Sequence, residues 1–298
     1  MPRRNASDFE LPGGLKSFPG LKAGDVTHPL DRDALNLLKQ IPILDQVVNW
    51  MSKEWYERRL YLLFVSSSVR VNSRMLPKLY EKFRWAMKIL DLEDELHRQG
   101  RPEPELYITH SPIPNALTAG TDQTFIVLHS SIIDGFDERD WLYLIGHELG
   151  HIKAGHVLYL TLAAVILMVV DMIKVPGREL LLIPLLEWLR KAELTADRAA
   201  ALCVQDETIC QSFHMKLAGG TRSLFDDMNL EEFIRQVDLY TQRDDIRDVF
   251  HKVFLNVWRT HPFPIFRAME LRQWMQGLEY ERLLKRGKPS GQAATARS

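Results

Sequence analysis

The chain has 298 residues, of which 46% are hydrophobic and 26% are charged, and its formal net charge is −1. These are ordinary values for a globular protein, and they allow one large domain or two small ones. A net charge this close to zero does not indicate a basic surface that would bind nucleic acid, so we expect no nucleic-acid partner.

The first hundred residues predict an arm followed by helices. Residues 1–30 are polar with glycine and proline, which indicates an irregular N-terminal arm. Apolar residues then recur at helical spacing, and we expect residues 31–100 to form N-terminal helices that pack on the domain that follows. The predicted helices are Leu35–Met51, Lys53–Phe64 and Pro77–Arg98.

Residues 105–130 are the one region with a strong strand pattern. Glu105–Thr109 and Thr124–His129 predict two strands. Ser111–Pro114 is proline-rich and predicts a turn, after which Asn115–Thr118 could form a short edge strand. An exposed strand edge can bind an extended peptide by strand addition. A plain hairpin without a ligand is the alternative.

The segment His147-Glu148-Leu149-Gly150-His151 has the pattern HExxH. Asp137 can N-cap a helix that begins at Glu138, and apolar residues follow at helical spacing. On such a helix His147 and His151 share a face, so both imidazoles point at one place, as two ligands of a tetrahedral zinc require. Glu148 is close enough to accept a proton from a water activated by the metal.

Two histidines leave a zinc site one protein ligand short. A metzincin would have a glycine at position 154 and a histidine at 157, but the chain has Ala154 and Val157, so that class is excluded. The alanine-rich helix predicted over residues 190–202 carries Glu193 and Asp197 on one face. One of these carboxylates could bind zinc while the other holds a ligand histidine by its second ring nitrogen.

An apolar stretch at residues 157–186 separates the two ligand segments. Val157–Val170 contains no charge, a turn with Pro176 and Gly177 follows, and Leu180–Leu186 is apolar again. Neither run has the roughly 20 apolar residues that a membrane span needs. We expect a helical hairpin insert that packs in the protein or in a dimer. A hairpin tip that dips into a membrane surface is the second alternative, and a short membrane span is the third.

The segments HELGHIKAGH (147–156) and AELTADRAAAL (192–202) together resemble the HtpX-like family of zinc endopeptidases. That family includes the CaaX prenyl protease and the mitochondrial Oma-type proteases, and it belongs to the gluzincins. Two further blocks fit the family: NALTAG (115–120) upstream, and His261-Pro262 followed by Arg267 downstream. The four blocks occur in the family's order and span about residues 60–275.

The resemblance implies roles for individual residues. It implies one zinc ion per chain, with His147, His151 and Glu193 as ligands and Glu148 as general base. Asp197 would hold a ligand histidine, and His261 is a candidate for stabilising the oxyanion. The resemblance also favours Asn115 and Ala116 as part of a substrate-binding strand edge. His156 fits the family pattern HExxHxxxxH, and for it we expect only a capping or packing role.

These observations predict an α+β fold: a helix-dominated, zincin-like metallopeptidase domain over residues 101–286, with a small sheet and the helical hairpin insert. Residues 287–298 are rich in Lys, Arg, Ser, Gly and Ala and predict a disordered tail. The predicted function is a zinc-dependent endopeptidase acting on polypeptides. Two alternatives are a zinc-binding latent or adaptor protein with an occluded cleft, and a helical membrane-surface scaffold without a metal.

The cysteines and the N-terminus bear on the compartment. Cys203 and Cys210 are seven residues apart, which on one helix corresponds to about 10 Å, too far for a disulfide. We therefore expect buried free thiols and a reducing compartment. Residues 1–25 have no apolar core typical of a signal peptide. A cytoplasmic location is predicted, with membrane association through 157–186 left open.

Overall fold

The structure is a computed structural model, and it describes residues 9–41, 54–120, 123–170, 179–219, 222–241 and 263–289. The helices are α1 Ala23–Val26, α2 Pro29–Leu38, α3 Glu54–Val65, α4 Pro77–Ile89, α5 Leu92–Arg98, α6 Ser130–Gly135, α7 Glu138–Lys153, α8 Val157–Val170, α9 Glu179–Val204, α10 Glu207–Gly219, α11 Leu230–Thr241, α12 Pro264–Met275 and α13 Leu278–Arg286. The strands are β1 Lys16–Ser17, β2 Ser68–Arg70, β3 Glu105–Thr109, β4 Ala116–Ala119, β5 Phe125–His129 and β6 Lys288–Pro289. A 3₁₀-helix spans Arg222–Asp227. This arrangement confirms the predicted helix-dominated α+β fold with a small sheet.

The main sheet has four strands in the order β2-β3-β5-β4. Strands β3 and β5 are parallel, and the other two pairs are antiparallel. Strand β4 lies at one edge, as the sequence predicted for residues 115–118. Strand β2 at the other edge was not predicted, because three residues are too few to show an alternating pattern. A separate two-stranded pairing joins β1 to β6 near the chain ends.

Local sequence signals account for the start of helix α7, which carries HExxH. Asp137 is the N-cap residue, and its carboxylate accepts hydrogen bonds from the backbone N–H groups of Arg139 and Asp140. The Asp140 side chain accepts in return from the Asp137 N–H, which completes a capping box. The predicted helix start at Glu138 is therefore confirmed. Most of α7 is buried, so its histidines lie inside the protein.

Two predicted helices differ in the structure. The helix expected over Pro77–Arg98 is broken, because Asp91 adopts a left-handed conformation with φ of +54° and separates α4 from α5. Asp91 tolerates this conformation, and its carboxylate accepts a hydrogen bond from the Gly20 N–H at 3.0 Å. Helix α2 begins at Pro29, earlier than the expected Leu35, and the expected continuation over residues 42–51 lies outside the described part of the chain.

The cysteines lie on two helices, which corrects the expectation of one continuous helix. Cys203 is on α9 and Cys210 is on α10, and residues 205–206, where Gln205 has a φ of +54°, separate the two helices. Both thiols are free and buried, as predicted.

Helices α7 and α9 approach closely because small residues face each other. A Cβ atom placed on Gly150 would lie 2.7 Å from the Ala199 Cβ and 3.1 Å from the backbone of Ala196. A Cβ on Gly146 would meet Cys203 and Ala200 at similarly short distances. This contact between the two helices brings the segment with Glu193 and Asp197 alongside HExxH.

We predict that Gly150→Ala destabilises the protein by about 1–3 kcal/mol, because a methyl group there overlaps atoms that cannot rotate away. Urea unfolding followed by circular dichroism measures the change. Gly135→Ala is the matched control, since a Cβ at Gly135 meets no atom within 4 Å. Equal stability of the two variants would contradict the close approach of α7 and α9.

Candidate metal centre

Three buried side chains converge between α7 and α9. His147 Nε2 lies 3.4 Å from Glu193 Oε2, and His151 Nε2 lies 3.4 Å from Glu193 Oε1. One ligand atom from each residue can be chosen so that all lie within 4.8 Å of one another. In a tetrahedral zinc site with bonds of roughly 2.1 Å, neighbouring ligand atoms are about 3.4 Å apart. The spacing of these three side chains therefore fits a zinc ion.

The second ring nitrogen of His147 contacts Asp197. Its Nδ1 lies 3.0 Å from Asp197 Oδ1, so that nitrogen carries the proton and Nε2 is left to bind a metal. Arg267 on α12 holds the same carboxylate with two hydrogen bonds, from Nε at 2.7 Å and from Nη2 at 2.6 Å. The Tyr143 hydroxyl donates a further hydrogen bond to Asp197 at 3.1 Å.

His151 is held differently. Its Nδ1 lies 3.0 Å from the Nδ1 of His156, which sits in the turn after α7. The two histidines of HExxH thus have different partners: a carboxylate for His147 and an imidazole for His151. The Arg267 guanidinium also approaches the third side chain, with Nη1 3.0 Å from Glu193 Oε2.

Charges around the site favour a bound cation. Burial lowers the pKa of His147, but the charge of Glu193 and the hydrogen bonds with Asp197 and Glu193 outweigh it and raise the pKa to about 9. Burial raises the pKa of Asp197, but Arg267 holds it well below the usual range. Asp197 is therefore ionised at neutral pH. For His151, burial lowers the pKa below its usual value, which leaves the neutral form that binds a metal.

Glu148 is buried beside the two histidines and accepts a hydrogen bond from strand β4. The Thr118 hydroxyl donates to Glu148 Oε2 at 2.6 Å. Both residues are at most about 5% exposed. This hydrogen bond orients the buried Glu148 carboxylate through Oε2. The other carboxylate oxygen can accept a further hydrogen bond. Thr118 therefore connects the edge of the sheet to the HExxH helix.

Some residues of the site were missed by sequence reasoning. Tyr143 lies four residues before His147 on the same face of α7, and that spacing is a signal that could have found it. Thr118 carries no such signal, because it reaches Glu148 from another element. His214 on α10 lies 3.1 Å from the Tyr143 hydroxyl. Burial, only partly offset by Asp197, lowers the pKa of His214 to about 3 and keeps it neutral.

The remaining predicted positions are placed as follows. Ala116 begins β4, and Asn115 directly precedes it, with its carbonyl accepting a hydrogen bond from the His129 N–H at 3.0 Å. Both residues lie on the edge that Thr118 joins to Glu148. His261 lies outside the described residues.

The fold and the three converging side chains define a zincin-like metallopeptidase. The chain belongs to peptidase family M48, whose sequence profile matches residues 82–275. It is 34% identical over 280 residues to the plastoglobule-localized metallopeptidase 48, chloroplastic, of Arabidopsis thaliana, which covers 90% of this chain and 77% of that protein. The predicted family resemblance is confirmed, and the chain is a metallopeptidase.

Shorter similarities extend to HtpX proteases. The chain is 31% identical over 90 residues to a protease HtpX homolog of Sulfurihydrogenibium sp., which covers 30% of each chain. It is 28% identical over 126 residues to a protease HtpX homolog of Aquifex aeolicus, which covers 42% of this chain and 38% of that protein. No solved structure is significantly similar to the chain.

We predict that Thr118→Val lowers peptidase activity about 10–100-fold without changing metal content, because a hydrogen bond to a buried carboxylate contributes roughly 1.5–3 kcal/mol. Thr118→Ser keeps the hydroxyl and is the matched control. Cleavage of casein, with the metal measured on the same samples, tests this. Full activity of the valine variant would show that Thr118 does not orient Glu148.

Proposed function

We propose that this protein is an endopeptidase that holds one zinc ion per chain between His147, His151 and Glu193. The observation that carries the proposal is the 3.4 Å spacing between the ligand nitrogens and the two Glu193 oxygens. Two imidazoles and one carboxylate form a donor set that zinc prefers in catalytic sites, where a fourth position is left for water or substrate. Asp197 fixes the orientation of His147 in this proposal.

Glu148 acts as the general base. A zinc ion supplies two effects when bound here: it polarises a peptide carbonyl and makes a water easier to deprotonate. The Glu148 carboxylate accepts the proton of the attacking water and later donates it to the leaving amine. The Thr118 hydrogen bond occupies one carboxylate oxygen, so the other is free to move the proton. His261 is proposed as the group that stabilises the oxyanion.

We propose that the polypeptide substrate binds in extended form along β4. Strand β4 is at the edge of the main sheet, and Asn115 and Ala116 stand at its beginning. Because Thr118 on the same strand contacts the proposed base, a peptide paired with β4 would pass close to Glu148. Backbone pairing of this kind recognises extended chains with little dependence on side chains, which suits an endopeptidase for unfolded polypeptides.

A second candidate is a latent zinc protein whose cleft is occluded. The observation that favours it is burial: each of the three proposed ligands, and Glu148 as well, is no more than about 6% exposed. Such a protein would contain zinc but would not cleave casein until the cleft opened. Metal analysis and a casein assay on one preparation therefore separate the two candidates.

Glu148→Gln tests the proposed chemistry. The substitution keeps size and hydrogen bonding but removes the basic oxygen, so we predict unchanged zinc content and casein cleavage reduced by at least about 10²–10⁴-fold. Glu193→Gln is the matched control, because it removes an anionic ligand and should lose both zinc and activity. Cleavage by Glu148→Gln at the wild-type rate would refute the mechanism, and a wild-type protein that cannot be loaded with zinc would refute the metal site.

We also propose that the 157–186 region contacts a lipid surface. Two observations support this. Helix α8 has no charged residue, and Ile183 in the first part of α9 is 46% exposed. The Arabidopsis relative is named for a plastoglobule location. In the part of the chain that the structure describes, no helix is both long and apolar enough to cross a membrane. Self-association through the same region is the alternative, and the predicted cytoplasmic location remains a prediction.

Vesicle flotation tests the lipid contact. We predict that the full chain floats with phospholipid vesicles and that Ile183→Asp weakens this about 10–100-fold, since burial of one such side chain contributes roughly 1.5–3 kcal/mol. Leu278→Asp on α13, where the leucine is 67% exposed, should have no effect. A protein that does not float, but whose dimer dissociates in Ile183→Asp, would instead support self-association.

A further inference from the structure

The turn that ends α7 places His156 beside the proposed ligand His151. Gly155 adopts a φ of +75°, and its N–H donates to the Ile152 carbonyl at 3.1 Å. The His156 N–H donates to the His151 carbonyl at 3.0 Å. These two bonds form a Schellman motif, which needs a left-handed residue that glycine provides at no steric cost. The backbone turn at the end of α7 therefore places the His156 imidazole next to the proposed metal centre.

Beyond His156 lies a second buried carboxylate. His156 Nε2 is 3.0 Å from Asp31 Oδ2, and each of these two residues is only 1% exposed. Asp31 belongs to helix α2, in a part of the chain that precedes the family-matched residues 82–275. A carboxylate this deeply buried is costly unless it accepts several hydrogen bonds. It accepts two more, from the Trp188 indole at 2.9 Å and from the Thr195 hydroxyl at 2.5 Å.

The proton positions along this chain of contacts are set by the metal ligand. If His151 Nε2 binds the metal, its Nδ1 carries a proton and donates to His156 Nδ1. That nitrogen of His156 must then be unprotonated, so the proton of the neutral ring is on Nε2, where it is donated to Asp31. Every donor thus meets an acceptor, and reversing either tautomer would place two protons or two lone pairs against each other.

We propose that Asp31 and His156 are positioning residues for the metal ligand His151, so that the N-terminal helix α2 completes the metal centre. Asp197 contacts His147 directly, whereas Asp31 reaches His151 through the His156 imidazole. The inference rests on the proposed zinc site. A partner that orients a ligand histidine typically contributes about 10–100-fold to metal affinity. The same Asp31 contacts also join α2 to α9, so a purely structural role must be separated by experiment.

Zinc affinity of the full chain, measured by chelator competition, tests the proposal. Asp31→Asn and His156→Phe should each weaken zinc binding about 10–100-fold, and the double variant should lose little more, because the two residues act as one unit. His156→Gln should recover most of the affinity, since its amide offers one acceptor and one donor as the neutral ring does. Thr195→Val removes a different hydrogen bond to Asp31 and is the structural control. It should lower the melting temperature of the metal-free protein while leaving zinc affinity within about threefold.

Two further readouts respond to ligand geometry rather than to stability. The d–d absorption bands of the Co²⁺-loaded protein should change in Asp31→Asn and His156→Phe but not in Thr195→Val. In the zinc-loaded wild type, imidazole ¹⁵N shifts should show His156 protonated on Nε2, and this measurement needs no variant. Protonation of His156 on Nδ1 overturns the proposal, because that ring could not accept from His151. Wild-type zinc affinity and Co²⁺ spectra in folded Asp31→Asn and His156→Phe also overturn it. A wild-type chain that binds no zinc overturns the proposed function and this inference with it.

Discussion

The close approach of α7 and α9 is the constraint on which the site depends. Glycines at positions 146 and 150 leave no room for a side chain against the Ala196–Cys203 segment, and the two helix axes can therefore lie near each other. This spacing brings the Glu193 carboxylate to 3.4 Å from both imidazoles. The glycines alternate with the two histidines along α7, so fewer than two helical turns supply both the packing contact and two of the three converging side chains.

The packing of these helices buries the carboxylates of Asp197 and Asp31, and each carboxylate has its own group of hydrogen-bonding partners. Asp197 is satisfied by the Arg267 guanidinium, the Tyr143 hydroxyl and His147, while Asp31 is satisfied by His156, Trp188 and Thr195. Removing Arg267 would leave the buried Asp197 carboxylate without its charged partner, which typically costs several kcal/mol. In the proposals above, Asp197 orients His147 directly and Asp31 orients His151 through His156.

The sheet contributes to the chemistry through its edge. Strand β4 carries Thr118, which donates a hydrogen bond to Glu148, and an extended substrate is proposed to bind along the same strand. A substrate paired with β4 would lie on the strand whose Thr118 orients the proposed base Glu148 of α7, which limits the movement of the reacting groups relative to each other. Helix α8 packs against the same strand: its Thr161 hydroxyl accepts a hydrogen bond from the Gly120 N–H at 3.0 Å.

The sequence by itself determined the features that depend on short-range spacing. HExxH on a capped amphipathic helix, the carboxylate pair four residues apart and the strand at Glu105–Thr109 are all local patterns with their own geometry, and the structure has each of them. Only the tertiary structure decided the long-range contacts, because Thr118, Arg267 and Asp31 reach the centre from elements 30 to 125 residues away with no periodicity to reveal them. The break at Asp91 has the same origin, since its left-handed conformation accompanies a hydrogen bond from the distant Gly20. Local propensity selects helices and strands, but which buried polar groups satisfy one another is settled by how those elements pack.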